Sequence, residues 1–207
     1  MNEADPPSDE RTDAELLAAI AAGTEQAFVD LYARRRAEVY RFAFAMAKSR
    51  SFAQDVTQEV FLNVLENAAR FDATKGTVRA WLFGCARYVI LDRLRLERRW
   101  SQERAEEAGE HGSDEHVLLQ QRAARLHEAV AQLPVEYREA LVLCELQELS
   151  YAETAAVLAC PIGTVRSRLH RGRALLAAML AEESNPAAEV TTQTGVAAGL
   201  RPREVCS

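Results

Sequence analysis

Residues 150–180 (SYAETAAVLACPIGTVRSRLHRGRALLAAML) contain two helical patterns that are separated by a very short break. Ser150, with Glu153 three residues later, has the spacing of a capping box, which begins a helix. Pro161 ends that helix because it lacks a backbone N–H, and a second helical pattern opens at about Gly163. Two helices joined by so short a turn predict a helix-turn-helix, and no other feature constrains the fold as strongly.

The second of these helices is predicted to have an apolar side and a cationic side. Val165, Leu169, Leu175 and Leu176 are expected to face inward. The outward positions are Arg166, Ser167, Arg168, His170, Arg171 and Arg173. A solvated helix face normally mixes both signs of charge, whereas residues 162–179 contain no acid at all, which favours a DNA contact over plain surface. The candidate ligands for phosphates and base edges are Thr164, Arg166, Ser167, Arg168 and Arg171.

The rest of the chain also favours helices. Its 207 residues include only 9 Gly and 6 Pro, and no strand pattern of any length occurs. We therefore predict an all-α fold with two small helical domains on a flexible linker. The predicted segments are a disordered acidic tail (1–12), a first domain (13–100), a linker (101–117), a second domain (118–182) and a loose C-terminal tail (183–207).

The charge distribution matters more than the net charge of −6. Residues 75–104 hold eight basic side chains against three acidic ones, and local potential governs contact with a polyanion. An acidic protein can therefore still bind DNA. No apolar run reaches membrane-spanning length, and the acidic N-terminus does not resemble a signal peptide, so we expect a cytoplasmic protein without membrane insertion.

Two helices of the first domain carry contrasting faces. In residues 52–70, the positions expected to be buried are Val56, Val60, Phe61, Val64, Leu65 and Ala68. The opposite stripe contains Asp55, Gln58, Glu59, Leu62 and Glu66, and its spacing alone favours a solvated surface. Residues 78–100 have an apolar side and, opposite it, a row of arginines. Trp81 lies on the apolar side and is expected in the core rather than as a base-stacking platform. Cations along a helix are what a separated DNA strand requires.

Four segments resemble one family. The string PIGTVRSRLHRGR resembles the recognition helix of sigma-factor region 4, which reads the −35 promoter element, and LPVEYREALVLCELQELSYAETAAVLA resembles the helices before it. DVTQEVF resembles the region-2 segment that binds the clamp of the largest polymerase subunit. WLFGCARYVILDRLRLERR resembles the end of region 2, which melts and reads the −10 element. This two-domain order is that of extracytoplasmic-function sigma factors of the sigma-70-like family.

The resemblance implies that the protein binds core RNA polymerase and promoter DNA, and that an anti-sigma factor restrains it. It assigns polymerase binding to Asp55, Gln58, Glu59 and Leu62, with Phe61 in the core. It assigns the −10 element to Lys75, Arg79, Arg87, Tyr88, Asp92, Arg93 and Arg95, and the −35 element to the five candidates on the second helix of the helix-turn-helix. The free protein is expected to bind DNA weakly without polymerase.

Three positions depart from the family pattern. Tyr88 stands where Asn is common, which bears on the base preference at −10. Thr154 stands where an aliphatic residue is usual, and Ala159 stands where Gly is common at the turn. Alanine at a positive backbone angle would lower stability.

Other functions are less well supported by the sequence. A self-sufficient helix-turn-helix regulator would explain residues 150–176 but would leave DVTQEVF and the second basic helix without a role. We find no catalytic set, cofactor motif or metal-ligand spacing, so no enzyme, cofactor or metal is predicted. The four cysteines (Cys85, Cys144, Cys160 and Cys206) are expected to be reduced thiols, three of them within apolar helical patterns. A regulator gated by metal or redox chemistry through these cysteines with His111 and His116 stays an alternative.

Overall fold

The computed structural model describes residues 11–103 and 119–183, and within those ranges it contains helices and turns but no strand. The helices, in chain order, are α1 (Asp13–Ala21), α2 (Glu25–Ala47), α3 (Arg50–Asn67), α4 (Val78–Glu103), α5 (Leu119–Gln132), α6 (Val135–Leu141), α7 (Tyr151–Leu158) and α8 (Ile162–Glu183). A 3-10 turn (Ala68–Arg70) follows α3, and a π-helical turn (Val142–Leu146) follows α6. The all-α fold class is confirmed.

Side-chain caps set the starts of two helices in the first half. Thr12 and Glu15 form a capping box on α1, with the Thr12 N–H donating to Glu15 Oε2 at 2.7 Å, and Ser49 accepts from the Phe52 N–H at the start of α3. Thr24 stands at the N-cap of α2, but its side chain makes no capping bond. These caps satisfy N–H groups that a helix leaves open in its first turn.

The core of the first half lies between α2, α3 and α4. Phe42 and Phe83 meet edge to face with ring centroids 5.4 Å apart, and Phe61 is 2% exposed. Five of the six positions predicted to be buried on α3 and the turn after it are buried, but Leu65 is wrong because it is 48% exposed. The apolar arc of α3 is wider than the surface that α2 and α4 cover, so Leu65 lies at its open edge.

The helix-turn-helix of the second half is present. Ser150 and Glu153 form the predicted capping box on α7, and the turn that follows contains Ala159 in the left-handed conformation with φ 50°. Val165 and Leu169 are buried on α8, whereas the prediction for Leu175 is wrong because it is 38% exposed. Leu175 points away from the core, whereas the next residue, Leu176, is half-buried and packs against it.

The two halves touch each other. Their buried residues belong to one continuous hydrophobic cluster, in which α7 packs against α4 and α5 packs against α2. The predicted tails (1–12 and 183–207) and linker (101–117) lie mostly outside the described residues. Within the described part, Thr12 caps α1, residues 101–103 continue α4 and Glu183 ends α8. No helix in the described ranges combines the length and apolar composition needed to cross a membrane.

Candidate polymerase and promoter interfaces

One face of α3 presents the predicted polymerase contacts together. Asp55, Gln58, Glu59 and Leu62 are all exposed, and Leu62 remains 52% exposed although it is apolar. A groove of about 700 Å³ begins beside this face, with Gln58 and Leu62 in its wall. An exposed leucine flanked by acids and amides has the chemistry of a protein contact, since apolar centres with polar rims are typical of interfaces.

Arg93, predicted for the −10 element, reaches from α4 to this face of α3. Its Nη2 is 2.6 Å from Glu59 Oε2, and its Nη1 is 3.4 Å from Asp55 Oδ2. Hydrogen bonding to Glu59 raises the pKa of Arg93 above its ordinary value. A residue predicted for the −10 element therefore forms ion pairs with two residues predicted for polymerase. Sequence reasoning missed this pairing because the partners lie more than thirty positions apart on different helices.

Part of the predicted −10 set surrounds a cavity of about 410 Å³ at the start of α4. Lys75 and Tyr88 line it, together with Phe71 and Trp81, whose rings meet edge to face at 5.9 Å. Tyr88 is 73% exposed, and Trp81 is half-buried, so Trp81 packs on the core and still borders the cavity. Phe71, which the sequence reasoning did not select, gives this cavity a second aromatic wall. Asp92 and Arg95 are exposed farther along the helix.

Two other arginines of that set turn toward the second half of the chain. Arg79 Nε is 2.7 Å from Glu38 Oε2, and its Nη2 donates to the backbone carbonyl of Gln147. Arg87 Nε is 2.8 Å from Glu139 Oε1, and Glu139 is 3% exposed. Neither partner from the second half was expected from the sequence, because a contact between domains leaves no local pattern.

The Arg87–Glu139 pair is only partly satisfied: Arg87 Nη2 donates to Glu139 Oε2 at 3.4 Å. Although Arg87 Nε and Glu139 Oε1 are close, both atoms are buried and neither makes a hydrogen bond of good geometry. Burial raises the pKa of Glu139, and the opposing effect of Arg87 does not reverse that direction. The pair therefore fixes which surfaces meet more than it adds net stability, as is common for buried ion pairs.

The N-terminal turns of α8 carry the predicted −35 residues. Arg166, Ser167 and Arg171 are exposed, while Thr164 and Arg168 are half-buried. The Ser167 hydroxyl donates to the Thr164 carbonyl at 2.9 Å, which leaves its oxygen lone pairs outward. Arg173 is also exposed on α8, but it forms an ion pair with Glu145. The cationic surface is thus concentrated in the first turns of the helix.

The three described cysteines, Cys85, Cys144 and Cys160, are free thiols, but each is half-buried rather than fully in the core. Burial raises the pKa of Cys85 to about 11. Cys144 Sγ shares a hydrogen bond of 3.1 Å with the buried Thr154 hydroxyl, which satisfies the polar group at this unusual position. Residues 11–103 and 119–183 hold no cluster of three metal-ligating side chains, and Cys206, His111 and His116 lie outside them.

Comparison with known proteins identifies the two halves. Residues 31–100 match the family model for Sigma-70 region 2, and residues 123–176 match the one for Sigma-70, region 4. The chain is 34% identical over 190 residues to the ECF RNA polymerase sigma factor SigE of Mycolicibacterium smegmatis, covering 88% of this chain and 73% of that protein. The chain belongs to the extracytoplasmic-function sigma factors of the sigma-70 family.

A further relative and two solved structures are also similar to this chain. Identity to SigC of Mycobacterium tuberculosis is 35% over 173 residues, covering 82% of this chain and 92% of that protein. The structure of CnrH in complex with the cytosolic domain of CnrY is 27% identical with a TM-score of 0.66, covering 83% of this sigma factor and 98% of that chain. RpoE in complex with the anti-sigma factor NepR from Bartonella quintana gives a TM-score of 0.63 at 25% identity, covering 74% and 96%.

Proposed function

We propose that this sigma factor binds core RNA polymerase and directs it to initiate transcription at specific promoters. One observation carries the proposal: the chain contains, in order, both halves that promoter recognition needs. The first half has an exposed face of acids and amides with an aromatic cavity beside it, and the second has a cationic helix in a helix-turn-helix. The proposed domains are residues 13–100 and 118–182. Such a protein works by binding, without catalysis or a cofactor of its own, and acts in the cytoplasm where the chromosome lies.

Polymerase binding is proposed for Asp55, Gln58, Glu59 and Leu62. Leu62 supplies apolar area and the acids supply charge that suits a basic partner surface. The contact would lie on the clamp of the largest subunit, as the family resemblance implies. Asp55 and Glu59 already form ion pairs with Arg93. A cationic side chain of polymerase would therefore either displace Arg93 from these carboxylates or bind to them beside it.

The −10 element is proposed to meet the cavity at the start of α4. Tyr88 offers an exposed ring for base stacking, an interaction worth about 1–3 kcal/mol per base, and Lys75 stands beside it for a phosphate. Asp92 and Arg95 would contact the strand farther along, and Arg79 and Arg87 would do so once released from their present partners. A tyrosine at position 88 in place of asparagine favours stacking over hydrogen bonding as the means of base recognition there.

The −35 element is proposed to bind the first turns of α8. Arg166 and Arg171 are exposed and have no partner among the described residues, so both are available for base edges or phosphates. Thr164, Ser167 and Arg168 flank them. CnrH is seen in complex with the cytosolic domain of CnrY, and RpoE is seen with the anti-sigma factor NepR. We propose an anti-sigma partner for this chain as well.

The test is transcription with purified core polymerase, this protein and a library of promoter fragments. Initiation should require the protein and select a promoter class. Arg166→Ala and Arg171→Ala should each lower initiation about 5- to 150-fold, the range that corresponds to a specific arginine contact of about 1–3 kcal/mol. Arg173→Ala removes the same charge from the same helix but from a side chain paired with Glu145, so it should change initiation much less.

The outcome that would overturn the proposal is tight, sequence-specific DNA binding at physiological salt by the free protein, with no initiation when polymerase is added. That result would favour a self-sufficient helix-turn-helix regulator, which the matches over both halves do not support. In that case the free protein should also be a homodimer that binds a palindromic DNA site.

A further inference from the structure

We propose that Asn63 selects the base that enters the cavity at the start of α4, and that it favours the keto bases thymine and guanine over the amino bases cytosine and adenine. The inference rests on the proposed function, because it names the class of base that the −10 site would accept. It concerns a residue that neither the sequence pattern nor the family resemblance singled out.

The identity of a base in this cavity has to be read by a polar group rather than by the rings. Phe71, Trp81 and Tyr88 line the cavity, and an aromatic ring stacks on any base because every base has a π-face. Asn63 lines the same cavity from α3 and is half-buried. An amide in the wall of a pocket can distinguish bases by hydrogen bonds to their Watson–Crick edges.

The neighbouring Asn67 fixes the orientation of the Asn63 amide. Asn67 Nδ2 lies 3.2 Å from the Asn63 backbone oxygen and 3.2 Å from Asn63 Oδ1. A backbone carbonyl can only accept a hydrogen bond, so the Asn67 atom that faces it must be the nitrogen. The Asn63 side-chain atom that faces this same nitrogen must then be the acceptor Oδ1. Asn63 is therefore left with Nδ2, a donor, to offer to a base.

The polar surroundings of Asn63 in the cavity are also donors. Asn63 Nδ2 has no hydrogen-bond partner in the described part of the chain. Asp72 accepts from the Thr74 hydroxyl and N–H through Oδ1 and pairs with Lys75 Nζ through Oδ2 at 3.2 Å. The hydrogen bonds from Thr74 hold the pKa of Asp72 below its ordinary value, so this carboxyl does not become a donor. Arg70 also lines the cavity, is exposed and can only donate.

A donor in this wall distinguishes keto bases from amino bases. Thymine O4 and guanine O6 are acceptors at the edge position where cytosine and adenine carry amino groups. Asn63 Nδ2 can donate to a keto oxygen, whereas two donors that face each other form no bond and lose the water that each had bound. We therefore expect a keto base to be preferred by at least about fivefold.

The wall that α4 contributes has room for a base. Gly84 lies three residues after Trp81 and four before Tyr88, so all three are on one face of α4, and all three line the cavity. A Cβ placed on Gly84 would meet nothing within 4 Å. Packing therefore does not demand a glycine there, although glycine inside a helix lowers stability. The missing side chain keeps the space between the two rings open.

The test measures base preference in transcription with purified core polymerase and the full chain. The promoter library carries each of the four bases at every position of the −10 element. One position should favour T and G over A and C by at least about fivefold. Asn63→Asp replaces the donor with an acceptor of the same shape, so the preference at that position should reverse. Each ratio compares promoters with the same protein, so it does not depend on how much of a variant is folded.

Two further variants separate base selection from charge and from structure. Gln54→Glu introduces the same negative charge on an exposed position of α3 outside the cavity, so it should change no base ratio. Asn67 is a positioning residue, and Asn67→Ala should leave the Asn63 amide free to turn. Because a turning amide can present either Nδ2 or Oδ1, the ratio should fall toward one while initiation is retained.

A base ratio that Asn63→Asp leaves unchanged at every position would refute the inference and leave the proposed function intact. A second measurement, the affinity of the full chain for fluorescent oligo(dT) and oligo(dC) at low salt, needs no polymerase. The unchanged chain should bind oligo(dT) more tightly, and Asn63→Asp should reverse the order.

If the chain initiates at no promoter, the proposed function is wrong, and the two affinities still decide whether Asn63 selects a keto base. Equal affinities would then count against that selection. A chain that neither initiates nor binds either oligonucleotide would refute both the function and the base site.

Discussion

Glycine at position 159 should stabilise the helix-turn-helix. Ala159 is the residue after α7 and holds φ 50° and ψ 47°, a left-handed conformation that costs an L-residue roughly 1–2 kcal/mol. Glycine avoids that cost but loses about 0.5–1 kcal/mol through greater freedom in the unfolded chain. The difference, about 0.75 kcal/mol at the midpoints of these two ranges, predicts that Ala159→Gly raises the free energy of unfolding of this domain.

Hydrogen exchange of the α7 and α8 amides is the suitable assay, because it reports the local opening free energy even if the two domains do not unfold together. A thermal melt should agree, since 1 kcal/mol corresponds to about 4–8 °C for a domain of this size. Ala156→Gly is the matched control: residue 156 is exposed within α7, where the same substitution should destabilise by about 0.5–1 kcal/mol.

The two substitutions must therefore move stability in opposite directions. If Ala159→Gly lowers protection of α7 and α8 as Ala156→Gly does, the left-handed turn is absent in solution and the strain argument fails.

Two further predictions concern packing and pH. Leu169→Ala should lower the free energy of unfolding by about 2–5 kcal/mol because Leu169 is 2% exposed. Leu175→Ala should lower it by less than about 1 kcal/mol because Leu175 is 38% exposed, and equal losses in urea melts would contradict this burial pattern. Cys85, with a pKa of about 11, should exist as thiolate in only about one molecule in a thousand at pH 8, so mass spectrometry should find slow alkylation in the folded protein and fast alkylation in urea. Rapid labelling of the native protein at pH 8 would refute the burial of Cys85. Because folding raises the pKa of this thiol above its ordinary value of 9.0, the contribution of Cys85 to stability should fall as pH rises from 9.0 to about 11.

Local signals in the sequence were sufficient for much of the fold. The capping box at Ser150 and Glu153 follows from the spacing of neighbouring residues, and the family resemblance marks Ala159 as the turn position where Gly is common. Leu65 and Leu175 were mispredicted for one physical reason. Helical periodicity gives the direction of an apolar face, but the width of that face that becomes buried depends on the neighbouring helices.

The candidate site, too, could be predicted from the sequence only in part. The exposure of Asp55, Gln58, Glu59 and Leu62 on one face follows from helical spacing and is confirmed as geometry, while their role stays a prediction. The partners of Arg79, Arg87 and Arg93 could not be predicted, because ion pairs between distant helices depend on how the helices pack. Whether a cationic side chain is free to bind DNA therefore depends on the tertiary structure, even where the sequence predicts the helix that carries it.

The bridge from Arg93 to Asp55 and Glu59 has a thermodynamic consequence. On the proposed function, cations of polymerase that take up these carboxylates would release a positive charge on the helix that meets the −10 strand. Affinity for DNA would then rise on polymerase binding, and reciprocity of binding free energies requires DNA to strengthen the hold on polymerase by the same factor. A single arginine would thus give the initiation complex positive cooperativity without any change of fold.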